Sequence, residues 1–187
     1  MPPDPVIQVW PKLSSRQLAN YRIFSLRSDL KINPRTGRPH DFFVLDCPDW
    51  VNVIPVTRDD RIVMIEQYRH GSNTVELEIP GGVMDPSEHD PVATGVRELR
   101  EETGYEGAQA RLIGRIFPNP AIQSNTCHTL LVEQCELKHP TEFDQGEDIG
   151  VRLVPAEQIQ RLIAEGKIQH ALVVVALAHF LAQRDRR

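Results

Sequence analysis

Gly82-Val-Met-Asp-Pro-Ser-Glu88 and, after a gap of eight residues, Arg97-Glu-Leu-Arg-Glu-Glu-Thr-Gly-Tyr105 form the stretch on which the fold turns. With Glu98 at zero on a helical wheel of ~100° per residue, Glu101 and Glu102 fall within roughly 60° of it on either side. Val92, Val96, Leu99 and Thr103 fall on nearly the opposite face. The spacing predicts a helix that buries this stripe and presents three acids on its other side. Asp90-Pro91 reads as an N-cap followed by proline at the first helical position, and Gly104 suits the left-handed residue past the end.

Such acids repel. Two unit charges ~6 Å apart cost about 3 kcal/mol at an effective dielectric of ~20. A hard divalent cation with oxygen ligands removes that cost, and Mg²⁺ or Mn²⁺ suits a carboxylate set. The plainer alternative is a solvated acidic face tied by pairs such as Arg97 with Glu101. The flanking glycines and the upstream Glu88 weigh towards the metal. Gly95 inside the helix costs ~1 kcal/mol relative to alanine, so either it is simply tolerated or a backbone or ligand approaches closely there.

These residues resemble the Nudix hydrolase signature, G-x5-E-x7-R-E-U-x-E-E-x-G-U with U apolar. Gly82 and Glu88 match its first half, and Arg97, Glu98, Leu99, Glu101, Glu102 and Gly104 its second, with Tyr105 in the last bulky position. The departure is one extra residue between Glu88 and Arg97, best placed at His89 before the helix cap. It leaves the helix acids in register and bears only on how Glu88 is aimed. The resemblance implies an α/β fold, the Nudix α/β/α sandwich with a mixed sheet, and an Mg²⁺ (or Mn²⁺) cofactor. Carried over, Glu98 and Glu102 are the leading metal ligands and Glu101 bridges or stands one step outside. Glu88 supports them, the Gly81 carbonyl completes the coordination, and Arg97 orients the acids by ion pairing.

Gln67-Tyr68-Arg69 and Glu76-x-Glu78-x-Pro80-Gly81-Gly82 are similar to the ADP-ribose and nucleoside-diphosphate-sugar pyrophosphatase branch, in which a proline follows the box. Pro120 occupies that place. Arg69 would then contact a substrate phosphate, the alternative being a strand-end salt bridge. Glu78 would help the metal or hold a substrate hydroxyl. Trp50 and Phe24 either stack on a base or fill the core, and the core is the commoner use of such residues. A general base is still required. In this branch it often lies on the loop before the last strand, here Lys138 to Asp148, which makes Glu147 the first choice, with Glu142 and Asp148 behind it. An acidic loop can equally be solvated surface. The implied reaction cleaves ADP-ribose or a related nucleoside diphosphate sugar to a nucleoside monophosphate and a sugar phosphate. The alternatives are GDP-mannose or a nucleoside triphosphate as substrate, and a non-catalytic sensor of ADP-ribose.

The chain has 187 residues with 40% hydrophobic content, enough to bury one main core with an appendage. A net charge of −5 without a basic run argues against a nucleic-acid surface. Cys47, Cys127 and Cys135 lack metal-ligand spacing and suit a reducing cytoplasm. The first residues do not resemble a signal peptide, and the longest apolar run, Ala171 to Ala178, is too short to span a membrane.

Residues 1 to about 20, with Pro2, Pro3, Pro5 and Pro11, read as an irregular arm. Strands are expected at 21–32 and 40–45 (a hairpin resembling the added sheet of homodimeric relatives), then at 50–56, 61–68, 75–79, 110–117, 129–134 and 149–154. Helices are expected at 155–165 and from 169 to about 183, where an alanine-rich setting outweighs the β-prone Val173-Val174-Val175. The expected division is 1–48 as arm and dimerising hairpin and 49–187 as the hydrolase domain.

Overall fold

Lys12–Asn20 carries little apolar alternation and is exposed almost throughout, yet it forms a strand, β1. Its backbone pairs antiparallel with β2 (Ser25–Ile32), which pairs in turn with β3 (Pro39–Asp46). The irregular arm expected up to residue 20 is therefore corrected over Lys12–Asn20: backbone pairing, not side-chain burial, makes this strand. The computed structural model describes residues 7–184, so the first part of that arm, residues 1–6, lies outside it. Asp29, 1% exposed, fastens the three-stranded sheet by accepting from Ser15 Oγ at 2.6 Å and Arg27 Nε at 3.1 Å. The loop Phe117–Asn125 belongs to this unit. The Leu45 N–H donates to Ile122 O at 2.7 Å, and Ser124 N–H donates to Leu45 O at 3.1 Å.

The second unit takes in Asp49–Ile116 and the chain from Thr126 onward. Its elements are β4 (Trp50–Thr57), β5 (Arg61–Arg69), β6 (Thr74–Glu78), β7 (Gly81–Val83), α1 (Pro91–Thr103), β8 (Tyr105–Glu106), β9 (Gln109–Ile116), β10 (Cys127–Leu137), β11 (Ile149–Pro155), α2 (Ile159–Ala164) and α3 (Ala171–Arg184). The strands run β11-β5-β4-β10-β8, with β6 on β5, β7 on β4 and β9 on β10. β4 and β10 are parallel while their other partners are antiparallel, so the sheet is mixed.

Alternation in the two central strands builds the layers. Val53 and Leu130 pack with Leu99 of α1, whereas their neighbours Ile54 and Leu131 pack with Val173, Ala176, Leu177 and Phe180 of α3. Successive residues of a strand face opposite ways, so the helices cover both faces of the sheet. This is the α/β/α arrangement that the sequence implies.

The signals at the ends of α1 act locally. Asp90 accepts the Val92 N–H at 2.9 Å, and Gly104 closes the helix at φ 74° with its N–H on Arg100 O. Two details differ from the helical wheel. Val96 is 38% exposed, and Glu102, one of the three acids, is 4% exposed on the buried side. Gly95 explains the rotation: a Cβ there would stand 2.7 Å from Leu130 Cδ2 and 3.1 Å from Val53 Cγ2. The helix therefore leans on the sheet at Gly95, and what approaches is core side chains instead of a backbone or ligand. The helix expected at 155–165 is a 3-10 turn at Ala156–Gln158 followed by α2, because β11 runs on to Pro155. The three-residue β7 and two-residue β8 are too short to leave a pattern in sequence.

Candidate active site

Arg97 gathers three of the acids. Its Nε lies 3.1 Å from Glu88 Oε1, its Nη2 2.9 Å from Glu98 Oε1 and its Nη1 2.8 Å from Glu101 Oε2. The extra residue at His89 thus leaves Glu88 on the same guanidinium as the helix acids. Glu88 is aimed by its own turn as well, accepting the Asp85 N–H at 2.9 Å. Arg97 holds its carboxyl below the usual range.

Of the helix acids Glu102 is buried and Glu98 largely so, its side chain 12% exposed. Burial pushes the Glu98 carboxyl up to about 7 against the pull of Arg97, with Glu101 and Glu147 adding to the rise. Burial pushes Glu102 up to about 8, opposed by the Gly81 N–H and reinforced by Glu98 and Glu147. The Gly81 N–H donates to Glu102 Oε2 at 2.9 Å. Beside it, a Cβ on Gly82 would meet Glu98 Oε1 at 2.5 Å. Gly82 therefore lets the Glu98 carboxylate lie against β7, whereas Gly81 holds Glu102 through its N–H and makes room instead for Val51 O.

The loop between β10 and β11 is pinned to the end of α1. Lys138 and His139 both donate backbone N–H groups to Gly104 O at 3.0 Å, and Glu142 N–H donates to Glu101 O at 2.8 Å. Beyond these anchors the chain turns, and Glu147 Oε2 accepts the Asp144 N–H at 2.9 Å. Glu147 is half-buried, and its charge is felt at Glu98, Glu102 and Arg69. Glu142 and Asp148 are exposed, and Glu142 reaches only towards Arg100, at 3.9 Å.

At the end of β5, Arg69 Nε and Nη2 donate to Glu78 Oε1 and Oε2 at 2.7 and 2.9 Å. The Glu78 side chain is 2% exposed and that of Arg69 42%, so the acid is the buried partner and the guanidinium the accessible one. His170, just ahead of α3, adds a third member that sequence reasoning missed: its Nδ1 lies 3.3 Å from Glu78 Oε2. No local pattern pairs a residue before α3 with one in β6. Trp50 is half-buried at the start of β4, opposite Val83 of β7. Phe24 and Pro120 belong to the other unit, Phe24 half-buried with its ring 5.0 Å from Tyr21, and Pro120 exposed in its loop.

Among the described residues no ready-made cluster of three His, Cys, Asp or Glu side chains surrounds a cation position. The donor chemistry nevertheless fits a hard divalent ion. Glu98 and Glu102 are both drawn out of water, the charge of Glu98 raises the proton affinity of Glu102, and Gly82 leaves room beside Glu98.

Comparison with known proteins agrees with this geometry. Residues 48–176 match the NUDIX domain. The chain is 27% identical over 172 residues to the ADP-ribose pyrophosphatase of Bacillus subtilis (strain 168), covering 89% of this chain and 92% of that protein. It is also 27% identical over 172 residues to the methanol dehydrogenase activator of Bacillus methanolicus, covering 91% and 92%. A crystal structure of an ADP compounds hydrolase superposes with a TM-score of 0.84 over 96% of each chain at 21% identity, a likeness of fold.

Proposed function

Because the chain belongs to the Nudix family, as a hydrolase of its ADP-ribose pyrophosphatase branch, we propose that it cleaves the diphosphate bond of ADP-ribose or a related nucleoside diphosphate sugar. The products are a nucleoside monophosphate and a sugar phosphate. The observation that carries this reading is the convergence of Glu98, Glu102 and Glu147, in mutual electrostatic contact, with the accessible guanidinium of Arg69.

Arg69 binds a phosphate oxygen of the diphosphate, for which its planar fork is suited. Arg97 holds Glu88, Glu98 and Glu101 in place and stays off the substrate. A divalent metal, Mg²⁺ or Mn²⁺, held by Glu98 and Glu102 with Glu101, Glu88 and the Gly81 carbonyl in support, supplies charge neutralisation and a more acidic water. Glu147 takes the proton of the attacking water, since it is the half-buried acid of its loop and Glu142 and Asp148 are exposed. Trp50 contributes to substrate binding in this reading by flanking β7.

The chain up to residue 48 serves as a homodimerisation element. Leu13 and Phe43 on its three-stranded sheet are 57% and 59% exposed, and Ile23 in the turn between β1 and β2 is 71% exposed, apolar positions that a second copy would cover. The free thiols of Cys47, Cys127 and Cys135 suit a cytoplasmic setting, and no helix among the described residues is long and apolar enough to cross a membrane.

Incubation with Mg²⁺ and ADP-ribose, ADP-glucose, GDP-mannose or dGTP, with products separated by chromatography, tests the substrate class. ADP-ribose or ADP-glucose should be cleaved fastest. Tight binding of ADP-ribose without cleavage of any compound would make the protein a sensor instead.

A further inference from the structure

Glu78 is a nearly inaccessible carboxylate, and Arg69 answers it with two hydrogen bonds along one edge. Such a pair leaves the Nη1 hydrogens of Arg69 for a phosphate, provided the fork is held at one angle. Glu78 can hold it only if Glu78 is itself held. The remaining polar atom at hand is Nδ1 of His170, which is buried and has no hydrogen-bond partner, 3.3 Å from Glu78 Oε2. His170 is fixed from behind, since its carbonyl accepts the Val174 N–H at 3.0 Å in the first turn of α3.

We propose that His170 is a positioning residue for substrate binding: its Nδ1–H secures Glu78, and Glu78 in turn sets the Arg69 fork towards the diphosphate. This rests on the diphosphate-hydrolase reading above. It moves Glu78 from a metal or hydroxyl contact to the support of Arg69. The residue that leads into α3 thereby serves the site, while Val173, Ala176, Leu177 and Phe180 of the helix lie in the core.

The test joins kinetics to a spectroscopic readout. In His170→Ala, KM for ADP-ribose should rise about ten-fold with kcat within about two-fold, the pattern of lost binding with the chemistry intact. His170→Asn, whose amide can donate from a similar position, should recover most of the loss. Arg69→Ala should cost more, and adding His170→Ala to it should cost nothing further, because the histidine acts through the arginine. In the wild-type protein, ¹⁵N spectra of labelled histidine should show His170 as the Nδ1–H tautomer, reverting in Glu78→Gln. A wild-type Nε2–H tautomer, an unchanged KM in His170→Ala, or additive losses in the double variant would each overturn the proposal. If the wild-type enzyme cleaves no nucleotide sugar, the functional reading fails separately and the tautomer alone decides the His170–Glu78 contact.

Discussion

Glu102 Oε2 accepts the backbone N–H of Gly81 at 2.9 Å, which ties the last turn of α1 to the first residue of β7. One hydrogen bond therefore sets a buried acid of the helix against the glycine pair that faces it. The bond requires an acceptor but not a charge, and that difference can be probed.

Glu102→Gln keeps the shape and can keep an oxygen on the Gly81 N–H. Turnover should fall by at least about 10²-fold, since even the outer partners of a metal site are worth 10–100-fold. Above the folded value of Glu102, about 8, the metal-free variant should melt no lower than wild type, because the buried charge that wild type then carries is absent from it. Parallel assays and thermal melts in chelator separate the two effects.

The metal-free protein should lose stability as pH rises. The folded-state values of Glu98 and Glu102, about 7 and about 8, lie above the ordinary 4.5. The native state then binds more protons than the unfolded chain, so stability is full below 4.5 and is lost as pH climbs through the folded values. Melting temperatures in chelator should fall between about pH 5 and 8.5, less steeply in the Glu98→Gln/Glu102→Gln double variant. An equal fall in both proteins would locate the effect elsewhere.

Gly82→Ala should spare the fold and damage the site. The added methyl falls 2.5 Å from Glu98 Oε1, so the carboxylate must move. Misplacement of such a group by about 1 Å can cost 10²-fold in rate. Circular dichroism should be unchanged while kcat/KM drops by about that factor; near-normal kinetics would mean that the position of Glu98 is not critical.

Glu147→Gln should cut kcat by roughly 10²–10⁴-fold with little change in melting temperature. Glu142→Gln and Asp148→Asn should stay close to wild type. A larger loss in either of those would move the base along the loop.

What sequence made legible was local. Asp90, Pro91 and Gly104 carry the ends of α1 in their own chemistry, and the spacing of Glu98, Glu101 and Glu102 survives because one rigid element holds it. What escaped depended on partners distant in the chain. β1 exists because β2 supplies its hydrogen bonds, so its exposed residues show no alternation. The burial of Glu102 and exposure of Val96 follow from α1 leaning on Leu130 and Val53 at Gly95, an angle that a helical wheel does not contain. His170 meets Glu78 only because the start of α3 lies beside the end of β6.

Hydrolysis of ADP-ribose by the wild-type protein in Mg²⁺ and in chelator, with AMP and ribose 5-phosphate counted, tests the central claim most directly. Equal amounts of the two products in Mg²⁺, none in chelator, and a rate at least about 10²-fold lower for Glu102→Gln are predicted. Cleavage that persists in chelator, or that Glu102→Gln leaves intact, would contradict a metal-dependent diphosphate hydrolase centred on this helix.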